Sequence, residues 1–141
     1  MAHEYRLLRF CALFYALGLG LHTADHLRRG LDTVTPQVLW IGNISTVVGI
    51  GVVAAVVVGY RHAAMLAALT GLPVALGVAA VHLLPHWSAF SDSFDGAHGT
   101  GVTAMSWIVV LIEIAGAVAL GTAGMRIVVR EHANRAGAAF P

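Results

Sequence analysis

Four stretches of this chain run for about twenty residues with scarcely a charge in them, the length of a helix that crosses a bilayer. Hydrophobic residues make up 58% of the 141 and charged ones 11%, where a soluble domain carries about 25% charged residues. A water-soluble fold of this size cannot hide that much apolar surface. In lipid the difficulty disappears, because side chains facing the hydrocarbon need no polar cover. The pattern predicts spans over about 7–27, 36–60, 62–84 and 102–125, with a frayed tail over 134–141. The expected fold class is all-α, a four-transmembrane-helix bundle forming a single integral membrane domain over 1–141.

Local signals refine these spans. Thr35 followed by Pro36 reads as an N-cap with proline at the first helical position. Pro73, inside the third span, removes one helix hydrogen bond and predicts a bend there. The first apolar run lacks a small-x-small cleavage site and ends in Leu21-His22-Thr23-Ala24-Asp25-His26, so it is expected to stay as a helix. Small residues predict where helices approach closely: Gly42, Thr46 and Gly49 on one face of the second span, and Ser106, Gly116 and Gly124, sharing a face with Glu113, on the fourth.

Arginine placement sets the expected orientation. Arg6, Arg9, Arg61, Arg126, Arg130 and Arg135 fall at one end of the spans, and only Arg28 and Arg29 at the other. The positive-inside rule then puts both termini in the cytoplasm and the loops near 28–35 and 85–101 outside. All eight basic residues are arginine and none is lysine, a bias that with the Ala/Val/Gly-rich background suggests a bacterial plasma (inner) membrane. Net charge is +1, so nucleic acid is not an expected partner. The lone Cys11 excludes an internal disulfide and a CxxC site.

One pattern carries chemistry. The first span ends in His22-x3-His26-x5-Asp32 and the third in His82-x3-His86-x5-Asp92, each position offset by 60 residues. Both spans run the same way, so both motifs reach the same face. Such a pattern is what two tandem helical hairpins related by a pseudo-two-fold along the membrane normal would leave. Histidines four apart lie on one helical face and can share a metal. Asp25, three residues after His22, is placed to act as a ligand or as acceptor of a ring N–H. The stripe Cys11, Tyr15, Gly18, His22, Asp25 and His26 follows helical spacing and predicts the inward face of the first helix. Pro85 disfavours helical geometry at Leu84, which places His86 at the start of a loop rather than one turn above His82.

Four imidazoles flanked by carboxylates suit Zn, Cu(II) or Fe better than Ca or Mg, which prefer all-oxygen shells. Haem held by one histidine from each motif is the alternative, and Asp32, Asp92 and His98 are further candidate ligands. Met65, Met105 and Met125 form no stripe of the kind copper(I) transport would favour. Three other polar residues are expected inside the bundle. Glu113, on the fourth span, must be protonated or paired, with Tyr15 the candidate partner; Asn43 is placed to bond across to the histidines. The aromatic residues Trp87, Phe90 and Phe94 predict a turn along the membrane surface that caps the cluster.

No nucleophile elbow, P-loop, dinucleotide fingerprint or HExxH signature is present. The function expected is a metal- or haem-binding module at the extracytoplasmic face. The alternatives are an accessory subunit of a larger membrane complex, with structural or proton-linked polar residues, and a metal-dependent membrane enzyme acting on a lipid or quinone. Expected partners are the lipid bilayer and either another membrane protein or a second copy in a homo-oligomer.

Overall fold

The computed structural model describes residues 2–96 and 100–138, and in it the four expected spans are helices. α1 is Ala2–Arg29, α2 is Pro36–Val57, α3 is Ala63–His82 and α4 is Ala104–Ala138, with a short 3-10 turn, Leu31–Thr33, after α1. Each helix is long and apolar enough to cross a membrane. Phe10, Trp40 and Val47 are each 71% exposed, so the outer surface is as apolar as the core and fits hydrocarbon rather than water.

The ends of the helices follow local chemistry. The Thr35 hydroxyl caps α2 by accepting from the Val38 amide at 3.3 Å, and Pro36 opens the helix. α2 stops at Val57 rather than near Tyr60 because Gly59 takes a left-handed conformation (φ 72°). The amides of Gly59 and Tyr60 then turn back to the carbonyls of Val56 (3.2 Å) and Ala55 (2.8 Å), closing the last turn as a Schellman motif does. α3 runs unbroken through Pro73. α1 starts at Ala2, well before the expected Leu7, and α4 continues to Ala138 through most of the segment expected to fray. Polar contacts between the two account for this extension: Glu4 pairs with Arg130, and the Tyr5 hydroxyl donates to Glu131 at 3.1 Å.

α4 is the organising helix. α1 and α3 stand on a diagonal, both packed closely on α4 and more loosely on α2. Absent side chains permit the closeness. A Cβ placed on Gly18 would lie 2.6 Å from the Cα of Glu113, and one on Gly116 would lie 2.7 Å from the Cα of Tyr15. Gly121 and Gly124 do the same against α3, a Cβ there falling 2.8 Å from the Leu72 amide nitrogen and 2.7 Å from that of Ala68. Such backbone-to-backbone approach supplies the dispersion energy that holds helices together in lipid, where apolar burial gives no drive. On α2, Gly49 receives the Tyr15 ring, whereas Gly42 faces open space. The tandem-hairpin symmetry is therefore broken at this level: α2 and α4, which it would make equivalent, pack very differently on α1 and α3.

Gly116→Leu is expected to lower stability by about 1–3 kcal/mol or more, since backbone cannot move aside for the new side chain. Gly42→Leu is expected to stay within about 0.5 kcal/mol of the parent. Thermal unfolding of both variants in detergent checks this.

Candidate metal centre

Two carboxylates organise the histidine end of the bundle. His22 projects from α1 about 10 Å before its end, at 1.5 Å per residue, and its Nδ1 meets Oε2 of Glu113 on α4. The contact is possible because Gly18, one turn earlier on α1, lets the backbone of α1 rest on that of Glu113 itself. Glu113 is 2% exposed and His22 8%. With Nδ1–H donating to the carboxylate, the lone pair of the ring is left on Nε2, and that atom is buried with no hydrogen-bond partner among the described residues.

The second carboxylate, Asp92, arrives by a chain reversal. Beyond His82 the chain leaves α3 and folds back over its end. The amide of Asp92 donates to the carbonyl of Val81 and that of Phe94 to the carbonyl of His82, both at 3.0 Å. These bonds satisfy carbonyls that a helix C-terminus otherwise leaves open. The Trp87 indole N–H, donating to Ala80 at 3.0 Å, and the amides of Trp87 and Ser88, donating to the Ser91 hydroxyl, hold the turn. Asp92 is thereby set beside His82, whose Nδ1 lies 3.1 Å from the Asp92 backbone carbonyl and 3.4 Å from its carboxylate. Arg29 at the end of α1 grips the same carboxylate with two parallel bonds of 2.7 and 2.8 Å, the bidentate geometry that guanidinium favours. Its Nε donates to the carbonyl of Thr100 at 3.1 Å. Burial alone would raise the Asp92 carboxyl, but the hydrogen bonds from His82 and Arg29 and the arginine charge outweigh it and bring it down to about 2.

Between these two supports three imidazoles converge. The ring centroids of His22 lie 4.7 Å from those of both His26 and His82, and the last two are 5.5 Å apart. One nitrogen from each ring falls within 4.8 Å of the other two. Ligands at about 2.1 Å from a tetrahedral ion stand about 3.4 Å from one another, so the trio needs roughly an ångström of closure to hold one. His26 Nδ1 is also buried and without a hydrogen bond, 4.0 Å from the Asp92 carboxylate. Phe94 closes the site from the loop side, its ring 4.8 Å from His82 and 5.4 Å from Trp107.

The other residues singled out by sequence lie elsewhere. His86 stands exposed in the loop after α3, as Pro85 foretold, and does not join the three. Asp25 is buried, but its Oδ1 accepts from Arg28 Nε at 2.9 Å rather than from a histidine. Arg28 continues to the Gly101 carbonyl at 2.9 Å and the Ser106 hydroxyl at 3.2 Å, tying α1 to the start of α4. Asp32 and Asn43 are both exposed, Asn43 on the outer face of α2 away from the histidines. His98 lies outside the described residues. Glu113 is paired, as its burial requires, but with His22; the Tyr15 hydroxyl is buried over Gly49 with no hydrogen-bond partner. Trp87 and Phe90 are exposed along the surface turn, while Phe94 is turned inward. Arg29, read from sequence only for the orientation of the spans, is the residue whose role was least visible: its partner is 63 positions away.

Asp92→Asn leaves the Arg29 guanidinium, nearly inaccessible at 1% side-chain exposure, without a countercharge, a loss expected to cost about 3–5 kcal/mol. The pH dependence has a definite sign. A carboxyl near 2 in the folded protein against an ordinary 3.8 stabilises the fold above that ordinary value. The contribution is lost as pH falls from about 4 towards 2, so acid titration of the unfolding midpoint should steepen there in the parent and flatten in Asp92→Asn. Comparison of the chain with known protein families, with curated proteins and with solved structures finds no match.

Proposed function

We propose that this protein is a multi-pass membrane protein that binds one transition-metal ion through His22, His26 and His82. The observation that carries the reading is the combination at His22 of a ring fixed through Nδ1 by a buried carboxylate and a buried Nε2 with no partner. Metal-ligating histidines are held in just this manner, the second nitrogen donating to a carboxylate or carbonyl that sets tautomer and ring direction. His82 repeats the arrangement with Asp92. Glu113 and Asp92 are thus orienting residues, and the imidazoles the ligands. An all-nitrogen set suits Zn, Cu(II) or Fe. A single ion fits the contact between the rings better than haem does, since His22 and His82 meet edge to face with no slot for a macrocycle.

Three protein ligands leave a coordination position open, the arrangement of catalytic rather than purely structural zinc sites. That feature favours metal-assisted chemistry as the second reading, with a lipid or quinone reaching the ion from the membrane. In either reading the site is at the extracytoplasmic end of an inner-membrane protein whose two termini are cytoplasmic, the orientation that the arginine distribution supports.

Elemental analysis of protein purified without chelators is expected to give about one transition-metal ion per chain. His22→Ala and His82→Ala should each reduce metal to background, and His86→Ala should leave it unchanged. Glu113→Gln should weaken binding about 10- to 100-fold. Metal-free parent protein that also fails to take up Zn²⁺ in titration would end the proposal.

A further inference from the structure

At the opposite, arginine-rich end the bundle carries a second feature that the metal centre does not use. Thr122, Met125, Arg126, Val129 and Arg130 form one exposed stripe of α4 at helical spacing. With the first turns of α1 and with Leu72 of α3 they line a groove of about 700 Å³. Its two halves differ in chemistry. Leu7, Leu72 and Met125 supply apolar lining, while His3, Arg126 and Arg130, placed further towards this end along the helix axes, supply basic groups. Glu4 is the only acidic residue lining the groove, and it is committed to Arg130. Arg126 makes no ion pair or hydrogen bond among the described residues, although it projects from a span flanked by apolar side chains.

We infer that this groove binds one anionic phospholipid, its phosphate at Arg126 and the open side of Arg130, one acyl chain lying along Leu7, Leu72 and Met125. Charge complementarity selects the occupant. A zwitterionic lipid would bring its own cation to a mouth that already has an excess of positive charge, whereas an anionic headgroup supplies what Arg126 lacks. The depth selects a lipid over a free anion, since most of the groove is apolar and opens sideways to hydrocarbon. Basic pockets between transmembrane helices on the cytoplasmic side take anionic headgroups for these reasons, and the arginine distribution assigns this end to that side. The bound lipid would bridge α1 and α4 where Glu4–Arg130 and Tyr5–Glu131 already join them.

Native mass spectrometry and thermal unfolding of the full chain in neutral detergent test this, with phosphatidylglycerol, phosphatidylcholine or inorganic phosphate added. Phosphatidylglycerol is expected to give a retained one-to-one adduct and a raised midpoint at concentrations where phosphatidylcholine gives neither. Arg126→Ala should weaken the adduct about fivefold, the worth of one arginine near an anionic headgroup, and Arg126→Lys should largely restore it. Arg61→Ala, outside the groove, should bind as the parent does. Because Arg126 is exposed and makes no ion pair or hydrogen bond among the described residues, its variants are expected to fold with parental midpoints in lipid-free detergent, which separates lost binding from lost structure. Equal binding of phosphatidylcholine, full competition by inorganic phosphate, or undiminished binding by Arg126→Ala would each overturn the inference. None of these outcomes depends on whether the histidine site holds metal.

Discussion

A carboxylate inside an apolar bundle must find a partner there, because the surrounding hydrocarbon offers none. Glu113 meets that condition through His22, and the rest of the histidine end is arranged around their contact. It draws α1 onto α4 at Gly18 and holds one imidazole in a fixed orientation, its ring 4.7 Å from those of both His26 and His82. α4, rather than α2, is the helix against which α1 and α3 pack, α1 through this buried pair and both through the glycines of α4. α2 has no ionisable residue to shelter, and most of its surface is left facing outward.

The loop between α3 and α4 performs the matching task on the other side. Its amides close the end of α3, and in doing so deliver Asp92 to a point that His82 and Arg29 share. One carboxylate thereby orients a histidine, neutralises a buried guanidinium and anchors an otherwise irregular segment. The charges balance locally: Arg28 and Arg29 are each answered by an aspartate, so the three imidazoles do not sit beside uncompensated guanidinium groups.

Much of the fold was legible in the sequence because the bilayer imposes it. Charge-free runs of the right length, the Thr35–Pro36 cap and the inward stripe of α1 each follow from a constraint acting on neighbouring residues, and the helices appear where these place them. The convergence of His22, His26 and His82 was legible too, since helical spacing and the 60-residue offset concern only which face and which end a residue occupies. What could not be read was the behaviour of the chain after it leaves a helix. The same offset pairs His26 with His86 and Asp32 with Asp92, yet in each pair one member is drawn into the site and the other is left exposed. The difference lies in the loops: Gly30 turns α1 into a short connection that carries Asp32 away, while the longer segment after His82 has length enough to return. Partner choice across helices was equally hidden. Glu113 chose His22 over Tyr15 because of where Gly18 sets the axial register of α1 on α4, a quantity no local pattern encodes.

The pairing of α1 with α4 joins two helices that lie far apart along the chain. His22 and Glu113 are separated by 91 positions, so during synthesis α1 is made well before the helix that carries its carboxylate partner. Through that interval His22 has no carboxylate to orient it. The orientation of His22 is therefore fixed only once α4 has been made, and a chain truncated before α4 would leave that imidazole without its carboxylate.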